Sequence, residues 1–236
     1  HNLVFERISG VDGSCLPGSE IMSHNINNRY FRALSHGEVG CYLSHITALK
    51  KFIADNIPYG IILEDDTVFG DNFVDIIERA INDNVSENCW DILKLSAKKK
   101  GKIIFHQLTE KYRIVEFYPL TGGTQGQIWT RDAAISFVNS HLFCSRPVDV
   151  ELRFAWEHRL RICTLEPELI HGNGASMIGI RGIKFPILKK WVYEVNFFAR
   201  RFLFNLSRFG LVNSIKLERG AAICLADLKP VQTINQ

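Results

Sequence analysis

The sequence predicts an α/β fold, in which helices pack against a sheet, from three observations. An amphipathic helix covers residues 37–56, and the apolar run YGIIL follows it at residues 59–63. A second amphipathic helix begins near Asp71, and the apolar run WDILKL follows that one at residues 90–95. Helices and strands that alternate in this way are typical of a sheet covered by helices.

The first helix has a clear start and a clear end. Ser35 and Glu38 have the spacing of a capping box, with the hydroxyl first and the carboxylate three residues later. Pro58 ends the helix. Between them apolar residues recur at helical spacing: Val39, Tyr42, Leu43, Ile46, Leu49, Phe52 and Ile53.

Three consecutive acids, Glu64, Asp65 and Asp66, follow the YGIIL strand, which we expect to be buried. Adjacent carboxylates repel one another unless a cation or hydrogen-bond donors collect there. Sheets of this class bind ligands beyond the carboxyl ends of their strands, and carboxylate oxygens suit Mg²⁺ and Mn²⁺. The pattern predicts a divalent cation facing a phosphate-bearing ligand; a solvated acidic turn or helix cap is the alternative. Extended backbone would send Glu64 and Asp66 to one side and Asp65 to the other.

The middle of the chain predicts further strands and helices. Residues 103–108 and 112–118 form two strands that pair, and the glycine-rich turn TGGTQG at 121–126 lets backbone approach a ligand. A strand at 127–130, a helix at 132–142, a helical stretch from 146 to 158 and a strand at 161–165 follow. Residues 169–176 form a glycine-containing loop around His171.

Composition and charge divide the chain into two parts. The 236 residues are 46% hydrophobic and 22% charged, as in ordinary globular proteins. The net charge is +3, but residues 184–219 carry +6, so the remainder is acidic. We therefore expect a catalytic domain at residues 1–180 and a basic, aromatic, helical segment at 181–236. Six scattered cysteines without a CxxC pair favour a reducing, cytoplasmic setting, and neither a signal peptide nor an apolar run of 18 residues is present.

The C-terminal segment predicts an amphipathic helix. An aromatic and aliphatic stripe runs along one face, and basic residues lie mostly elsewhere. This combination is typical of a helix that lies on an anionic membrane, so we expect a peripheral position on the inner face of the cytoplasmic membrane. The alternative is packing on the body or on a second subunit in a homodimer. The stripe consists of Leu188, Trp191, Val195, Phe198, Phe202 and Leu206.

Five motifs occur in an order that resembles a known family: GEVGCYLSH (37–45), YGIILEDDTVF (59–69), WDILKL (90–95), GGTQGQIWTRDAA (122–134) and PVDVEL (147–152). The family is glycosyltransferase family 25, the bacterial lipooligosaccharide and lipopolysaccharide sugar transferases related to collagen galactosyltransferases. The resemblance covers about residues 5–176, and its first two motifs are the specific ones.

The resemblance implies a GT-A-like fold, a nucleotide-sugar donor, a bound Mn²⁺ or Mg²⁺ and inversion at the sugar carbon. UDP-galactose is the first donor expected and UDP-glucose the second, with a lipid-linked oligosaccharide as acceptor and no nucleic acid. Family members usually begin with a further strand and an arginine that helps to hold the nucleotide, and we expect either that the sequence starts after this strand or that the strand is absent, so no residue is assigned to the base. Gln127 stands where the family has an aromatic residue.

By this resemblance the three acids match the family's metal-binding element. We expect Asp66 to ligate the metal, Glu64 to reach the metal or the ribose, and Asp65 to orient the sugar or a basic neighbour. His171 is the candidate third ligand, although a lone histidine is often structural. His45, on the first helix, is interpreted as a buried structural histidine.

An inverting transferase also needs a general base for the acceptor hydroxyl. Asp149 is the first candidate, with a helix N-cap as its alternative role, and Glu151 is the second candidate. Thr124 and Gln127 are expected to line the donor or acceptor pocket. Two other functions remain open: a metal-dependent nucleotidyl or phosphoryl enzyme, and a non-catalytic module that holds a structural cation.

Overall fold

The computed structural model describes residues 5–96, 101–140, 144–172 and 186–228. Its helices are α1 (Gly18–Ile26), α2 (His36–Ala54), α3 (Phe73–Glu87), α4 (Arg131–Ser140), α5 (Val148–Leu152), α6 (Ala155–His158) and α7 (Ile187–Glu218). Its strands are β1 (Tyr59–Leu63), β2 (Thr67–Phe69), β3 (Ile92–Lys94), β4 (Gly101–Gln107), β5 (Arg113–Tyr118), β6 (Gly126–Thr130), β7 (Ile162–Glu166), β8 (Ile170–Gly172) and β9 (Ala222–Cys224).

Seven strands form one mixed sheet in the order β1-β6-β3-β7-β5-β4-β9. β6 is antiparallel to both β1 and β3, whereas β3 and β7 are parallel. β1, β3 and β7 therefore run in the same direction, and their carboxyl ends meet at one edge of the sheet. The predicted α/β fold is confirmed, with the mixed sheet that a GT-A-like architecture requires.

Helices cover both faces of this sheet. On one face α2, α4 and α5 enclose a core that includes Trp129 and Phe137, and on the other α3 packs over Trp90 and Ile128. The predicted capping box of α2 is confirmed: the Ser35 hydroxyl accepts from the Glu38 amide at 3.3 Å, and the Glu38 carboxylate accepts from the Ser35 amide at 2.9 Å. The cap fixes the start of the helix that lies beside the acidic segment.

The strand that carries the acids is less buried than its sequence predicts. β1 is the first strand of the sheet and pairs only with β6, so all five of its residues are half-buried or exposed. Ile61 retains 41% of its surface. The apolar run indicated a central strand, but burial depends on neighbours that the run itself does not specify. An edge position leaves the end of β1 open to a ligand.

A two-stranded ribbon lies beside this edge. β2 follows the acids and pairs antiparallel with β8, with Val68 opposite His171 and Thr67 opposite Gly172. The predicted loop around His171 is therefore wrong for residues 170–172, which form a strand; residues 173–176 lie outside the described part of the chain. The ribbon extends from the point where the three acids end.

The C-terminal helix α7 is bent back on itself. Gly210 has a φ of 73° and ψ of 171°, which interrupt the helical backbone. The Arg201 guanidinium donates to Glu218 at 3.1 and 2.6 Å, although 17 residues of straight helix would separate them by about 25 Å. The two halves of α7 therefore fold against each other, and Gly210 supplies the positive φ that the turn requires.

One face of α7 packs on the body of the protein and the other does not. Phe197, Phe209 and Leu217 are buried, whereas Trp191 and Phe198 of the predicted stripe retain 65% and 51% of their surface. None of the helices in the described ranges is both long and apolar enough to cross a membrane.

Candidate active site

The three acids lie in a turn that joins β1 to β2. The Thr67 amide donates to the Glu64 carbonyl at 3.2 Å, so residues 64–67 form a turn rather than extended backbone. The extended backbone expected at these residues is therefore wrong, but Glu64 and Asp66 still share one environment and Asp65 has another. Asp65 is exposed, whereas Glu64 and Asp66 are half-buried. The structure brings these two against the residues that precede β6.

Glu64 is held by two side chains from other elements. The Thr124 hydroxyl donates to its Oε1 at 2.6 Å, and His45 Nε2 from α2 lies 3.7 Å from the same atom. His45, together with Thr124 and the charge of Lys94, lowers the pKa of Glu64 below its ordinary value and outweighs the opposing effect of burial. Glu64 is therefore an anion at neutral pH, and the prediction that Thr124 lies at the site fits this geometry.

Asp66 has fewer and weaker side-chain partners than Glu64 among the described residues. The Gln125 amide lies 3.5 Å from Asp66 Oδ1 and supplies only a weak hydrogen bond. Gly172 on β8 lies against the same Gln125 side chain, because a Cβ at that glycine would fall 2.2 Å from its Nε2. The oxygens of Asp66 thus retain the capacity to accept further partners, as a metal ligand must.

Lys94, at the carboxyl end of β3, connects the sheet to the glycine-rich turn. Its side chain is fully buried, and Nζ donates to the carbonyls of Thr121 at 2.7 Å and Gly122 at 3.2 Å. Burial lowers its pKa to about 8, although the charges of Asp149 and Glu64 act in the opposite direction. A buried ammonium group therefore lies between the acidic turn and the candidate base.

Asp149 approaches this group from α5. Its Oδ2 lies 3.1 Å from the position that a Cβ at Gly122 would occupy, so the absence of a side chain there permits the contact. The helix begins with Pro147 as N-cap, so the alternative role of Asp149 as N-cap is wrong. The side chain is half-buried and electrostatically coupled to Lys94. Asp149 therefore lies beside the glycine-rich turn and near the buried Lys94.

The second candidate base, Glu151, lies in an interior ion-pair network rather than at this edge. It retains only 1% of its surface, and its carboxylate contacts Arg146 at 2.7 Å, Ser145 at 2.8 Å and His158 at 3.1 Å. Residues two apart on a helix project in different directions. The motif PVDVEL therefore does not place Asp149 and Glu151 in the same environment. The geometry supports a structural role for Glu151.

Gln127 does not line an open pocket either, contrary to the sequence prediction. It has no exposed surface, and its Oε1 accepts from the Trp129 indole nitrogen at 2.8 Å. Gln127 comes directly after the glycine-rich turn at 121–126, but strand β6 already begins at Gly126. Alternation along β6 then directs Gln127 to the same face as Trp129, into the core.

The proposed third metal ligand, His171, does not join the two acids in a cluster. Its imidazole is 56% exposed, and Nδ1 lies 3.6 Å from Glu168. Across the described residues, no group of three or more His, Cys, Asp or Glu side chains could hold a metal ion. The donor set does not fit a metal site built from protein alone. Two carboxylates, Glu64 and Asp66, do fit a Mg²⁺ or Mn²⁺ ion shared with phosphate groups, which draws only one or two ligands from protein.

Two site residues were not assigned a functional role by sequence reasoning. Lys94 was counted only as part of a strand, and His45 only as a buried histidine. A lysine within an otherwise apolar strand was the available signal for Lys94, because an unpaired lysine is almost never fully buried. No pattern in the sequence indicates that His45 lies 3.7 Å from Glu64.

The fold and the site together define a class of protein. A seven-stranded mixed sheet flanked by helices, with a C-terminal helix, is consistent with a GT-A-like fold. The model of glycosyltransferase family 25, described as a lipopolysaccharide biosynthesis protein, matches residues 1–150, well over half of the chain. The chain belongs to glycosyltransferase family 25.

Individual relatives agree with this membership. A human protein named inactive glycosyltransferase 25 family member 3 is 30% identical over 60% of this chain and 24% of its own length. A Haemophilus influenzae protein named "Putative glycosyltransferase" is 33% identical over 50% of this chain and 40% of its own length. Mouse procollagen galactosyltransferase 2 is 27% identical over 39% of this chain and 16% of its own length. The chain thus spans less than half the length of each, and one of them is named inactive.

We expect Lys94→Met to change the pH dependence of stability. In the folded protein the Lys94 pKa is about 8 rather than 10.5, so between these values the unfolded state binds more protons and stability rises with pH. The free energy of unfolding of the wild type, relative to Lys94→Met, should therefore increase from pH 8 to 10.5 by up to about 3 kcal/mol.

Urea unfolding at a series of pH values measures this difference. Lys50→Met is the matched control, because Lys50 lies exposed on α2. If the free energy of unfolding of the wild type minus that of Lys94→Met stays constant with pH, the buried, destabilised ammonium group is contradicted.

Proposed function

We propose that this protein is an inverting glycosyltransferase that moves a hexose from a UDP-sugar to a lipopolysaccharide or lipooligosaccharide acceptor. The observation that carries the proposal is the convergence of Glu64, Asp66, Lys94 and Asp149 around residues 121–125 at the carboxyl edge of the sheet. Galactose is the first candidate sugar and glucose the second; a relative named as a galactosyltransferase supports that order. The family description supports the acceptor class.

The acidic turn would hold the donor diphosphate through a divalent cation. Asp66 is the proposed direct ligand, because its carboxylate has only one weak partner among the described residues, at 3.5 Å. Glu64 already accepts from Thr124, so it would share the cation or reach the ribose while it fixes the start of the turn. When bound, Mn²⁺ or Mg²⁺ neutralises charge that develops on the nucleoside diphosphate leaving group.

Asp149 would take the proton from the acceptor hydroxyl as that hydroxyl attacks the sugar carbon. Lys94 does not need to touch substrate in this scheme. Its ammonium group holds the carbonyls of Thr121 and Gly122 in place, and its charge helps to lower the pKa of Glu64. The buried lysine would thereby position the base and the donor-binding turn relative to each other.

The exposed stripe of α7 would bring the enzyme to an anionic membrane that carries the acceptor. Leu188, Trp191 and Phe198 retain 74%, 65% and 51% of their surface. Lys189 and Lys190 are exposed beside them, and Arg200 is 58% exposed. Arg201 and Arg208 do not join this surface, because their guanidinium groups pair with Glu218 and Glu116 against the body. Packing on the body and an open apolar stripe thus occur on opposite faces of α7.

Release of UDP measures the proposed activity. We expect acceptor-dependent and Mn²⁺- or Mg²⁺-dependent UDP release, greatest with UDP-galactose, and we expect Asp66→Asn to lower it at least about 100-fold by removing a charged ligand. Asp71→Asn, a loss of charge at an exposed site five residues later, is the control. If no UDP-hexose yields UDP, this chain resembles the relatives named inactive. If nucleoside triphosphates are consumed instead, a nucleotidyl enzyme is favoured.

The general base has a distinct kinetic signature. Asp149→Asn should reduce kcat by about 10²–10⁴-fold, the usual contribution of a positioned base, while metal affinity stays unchanged. Asp132→Asn, at an exposed position in the first turn of α4, should leave kcat unaltered. A variant with full kcat, or with a loss confined to KM, would remove Asp149 from the chemical step.

Binding to vesicles measures the role of the α7 stripe. Vesicles that contain phosphatidylglycerol should bind the protein more tightly than neutral vesicles, and Trp191→Ser should weaken binding about tenfold by removing a large apolar contact. Met22→Ser is the control, since Met22 is 68% exposed on α1. If Trp191→Ser instead disrupts a dimer in sedimentation experiments and leaves vesicle binding intact, the stripe is a subunit interface.

A further inference from the structure

A cavity lies between α7 and the body, apart from the acidic turn. Its volume is about 370 Å³, at the lower end of the roughly 300–1,000 Å³ of small-molecule sites. We call it the α7 cavity; Tyr118, Leu120, Trp156, Phe204 and Asn205 line it, together with several arginines. Six of the twelve lining residues are aromatic or aliphatic, and the other six carry amide or charged groups.

Asn205 is the least satisfied of these polar groups. It lies in the wall of the cavity with no exposed surface, and neither the nitrogen nor the oxygen of its amide has a hydrogen-bond partner among the described residues. The indole nitrogen of Trp156, also in the wall, is likewise buried and unpaired within the described ranges. Unpaired buried polar groups cost about 1–3 kcal/mol each, so two at one cavity indicate a polar partner that the protein does not supply.

The charges around the cavity favour an anion. Arg159, Arg161, Arg201 and Arg208 all line it, against the single carboxylate of Glu116. Arg208 pairs with Glu116, Arg201 with Glu218 and Arg161 with Asp91. No carboxylate of the described residues forms an ion pair with Arg159, whose backbone at the end of α6 has a φ of 55°. Arg159 is exposed, so its guanidinium group is accessible to a ligand, and guanidinium groups bind carboxylates and phosphates through paired hydrogen bonds.

The combination of groups defines the ligand. Aromatic faces such as Trp156 and Phe204 suit the apolar side of a sugar ring, the Asn205 amide and the Trp156 indole suit its hydroxyl groups, and Arg159 suits an acidic substituent. We propose that the α7 cavity binds one sugar unit that carries a carboxylate or a phosphate group.

The position of the cavity connects it to the candidate active site. Leu120 lines the cavity, and the carbonyls of the next two residues, Thr121 and Gly122, accept hydrogen bonds from Lys94 Nζ. Consecutive Cα atoms are about 3.8 Å apart, so Gly122 lies within about 8 Å of Leu120. Trp156 lies in α6, the next helix after α5, which carries Asp149. We assign the bound unit as the acidic neighbour of the accepting sugar; that assignment rests on the proposed transferase activity, whereas binding itself does not.

Binding can be measured without donor or metal. By titration calorimetry we expect galacturonate and glucose 6-phosphate to bind, and glucose and inorganic phosphate to bind at least tenfold more weakly. Asn205→Leu should weaken binding of the charged sugars at least tenfold, and Arg159→Gln about fivefold or more. Arg79→Gln, which removes an exposed arginine from α3, should change nothing.

Three results would overturn the proposal. If glucose binds as tightly as the charged sugars, the charge has no role. If inorganic phosphate binds as tightly as they do, the cavity is an adventitious ion site only. If a folded Asn205→Leu binds the charged sugars as tightly as the wild type, the Asn205 amide has no role. Thermal unfolding reports whether that variant folds, and we expect it to, because leucine replaces an unpaired amide of similar size. Asn205→Asp is the second variant: its carboxylate can pair with the cavity arginines, so it should fold yet repel the acidic sugar.

The same variants separate this proposal from the proposed activity. Asn205→Leu should raise KM for the acceptor, with little effect on kcat or on slow metal-dependent hydrolysis of the donor. Charged-sugar binding that depends on Asn205, in a protein that releases no UDP, would retain the cavity and refute the transferase. UDP release with an unchanged acceptor KM and no charged-sugar binding would retain the transferase and refute the cavity.

Discussion

The candidate site depends on one buried ammonium group, that of Lys94. A charge inside a sheet costs several kcal/mol unless hydrogen bonds and opposite charges surround it. Here two carbonyls of the glycine-rich turn accept from Nζ, and the carboxylates of Glu64 and Asp149 supply the opposite charge. Each part therefore constrains the others. The lysine fixes the turn, and the turn, through Gly122, leaves room for Asp149 beside it.

Membership of a glycosyltransferase family and catalysis by a glycosyltransferase are separate properties. The fold is set by two cores on either side of the sheet, and neither core contains Asp66 or Asp149. A relative could thus keep the fold and lose catalytic activity when a few residues of the site change. The human relative is named as inactive. The activity proposed for this chain depends on carboxylates such as Asp66 and Asp149, which are half-buried.

The C-terminal helix follows the amphipathic pattern only in part. Trp191 and Phe198 of its stripe are exposed, and the face against the body buries Arg201 and Asn205 together with the apolar Phe197. One helix thus presents apolar residues outward and both apolar and polar residues inward, and the bend at Gly210 brings its second half back to pair with the first.

The sequence by itself determined what depends on local physics: the capped helix α2, the alternation of helices and strands, and three acids directly after a strand. These follow from propensity and periodicity within about 20 residues. Only the tertiary structure decided which acids share a site with Lys94, that Glu151 and Gln127 lie inside, and which face of α7 meets the body. The pairs concerned, such as Glu64 with Thr124 and Lys94 with Gly122, are 60 and 28 residues apart. Their contacts depend on how the sheet is ordered, and sequence periodicity carries no information about strand order.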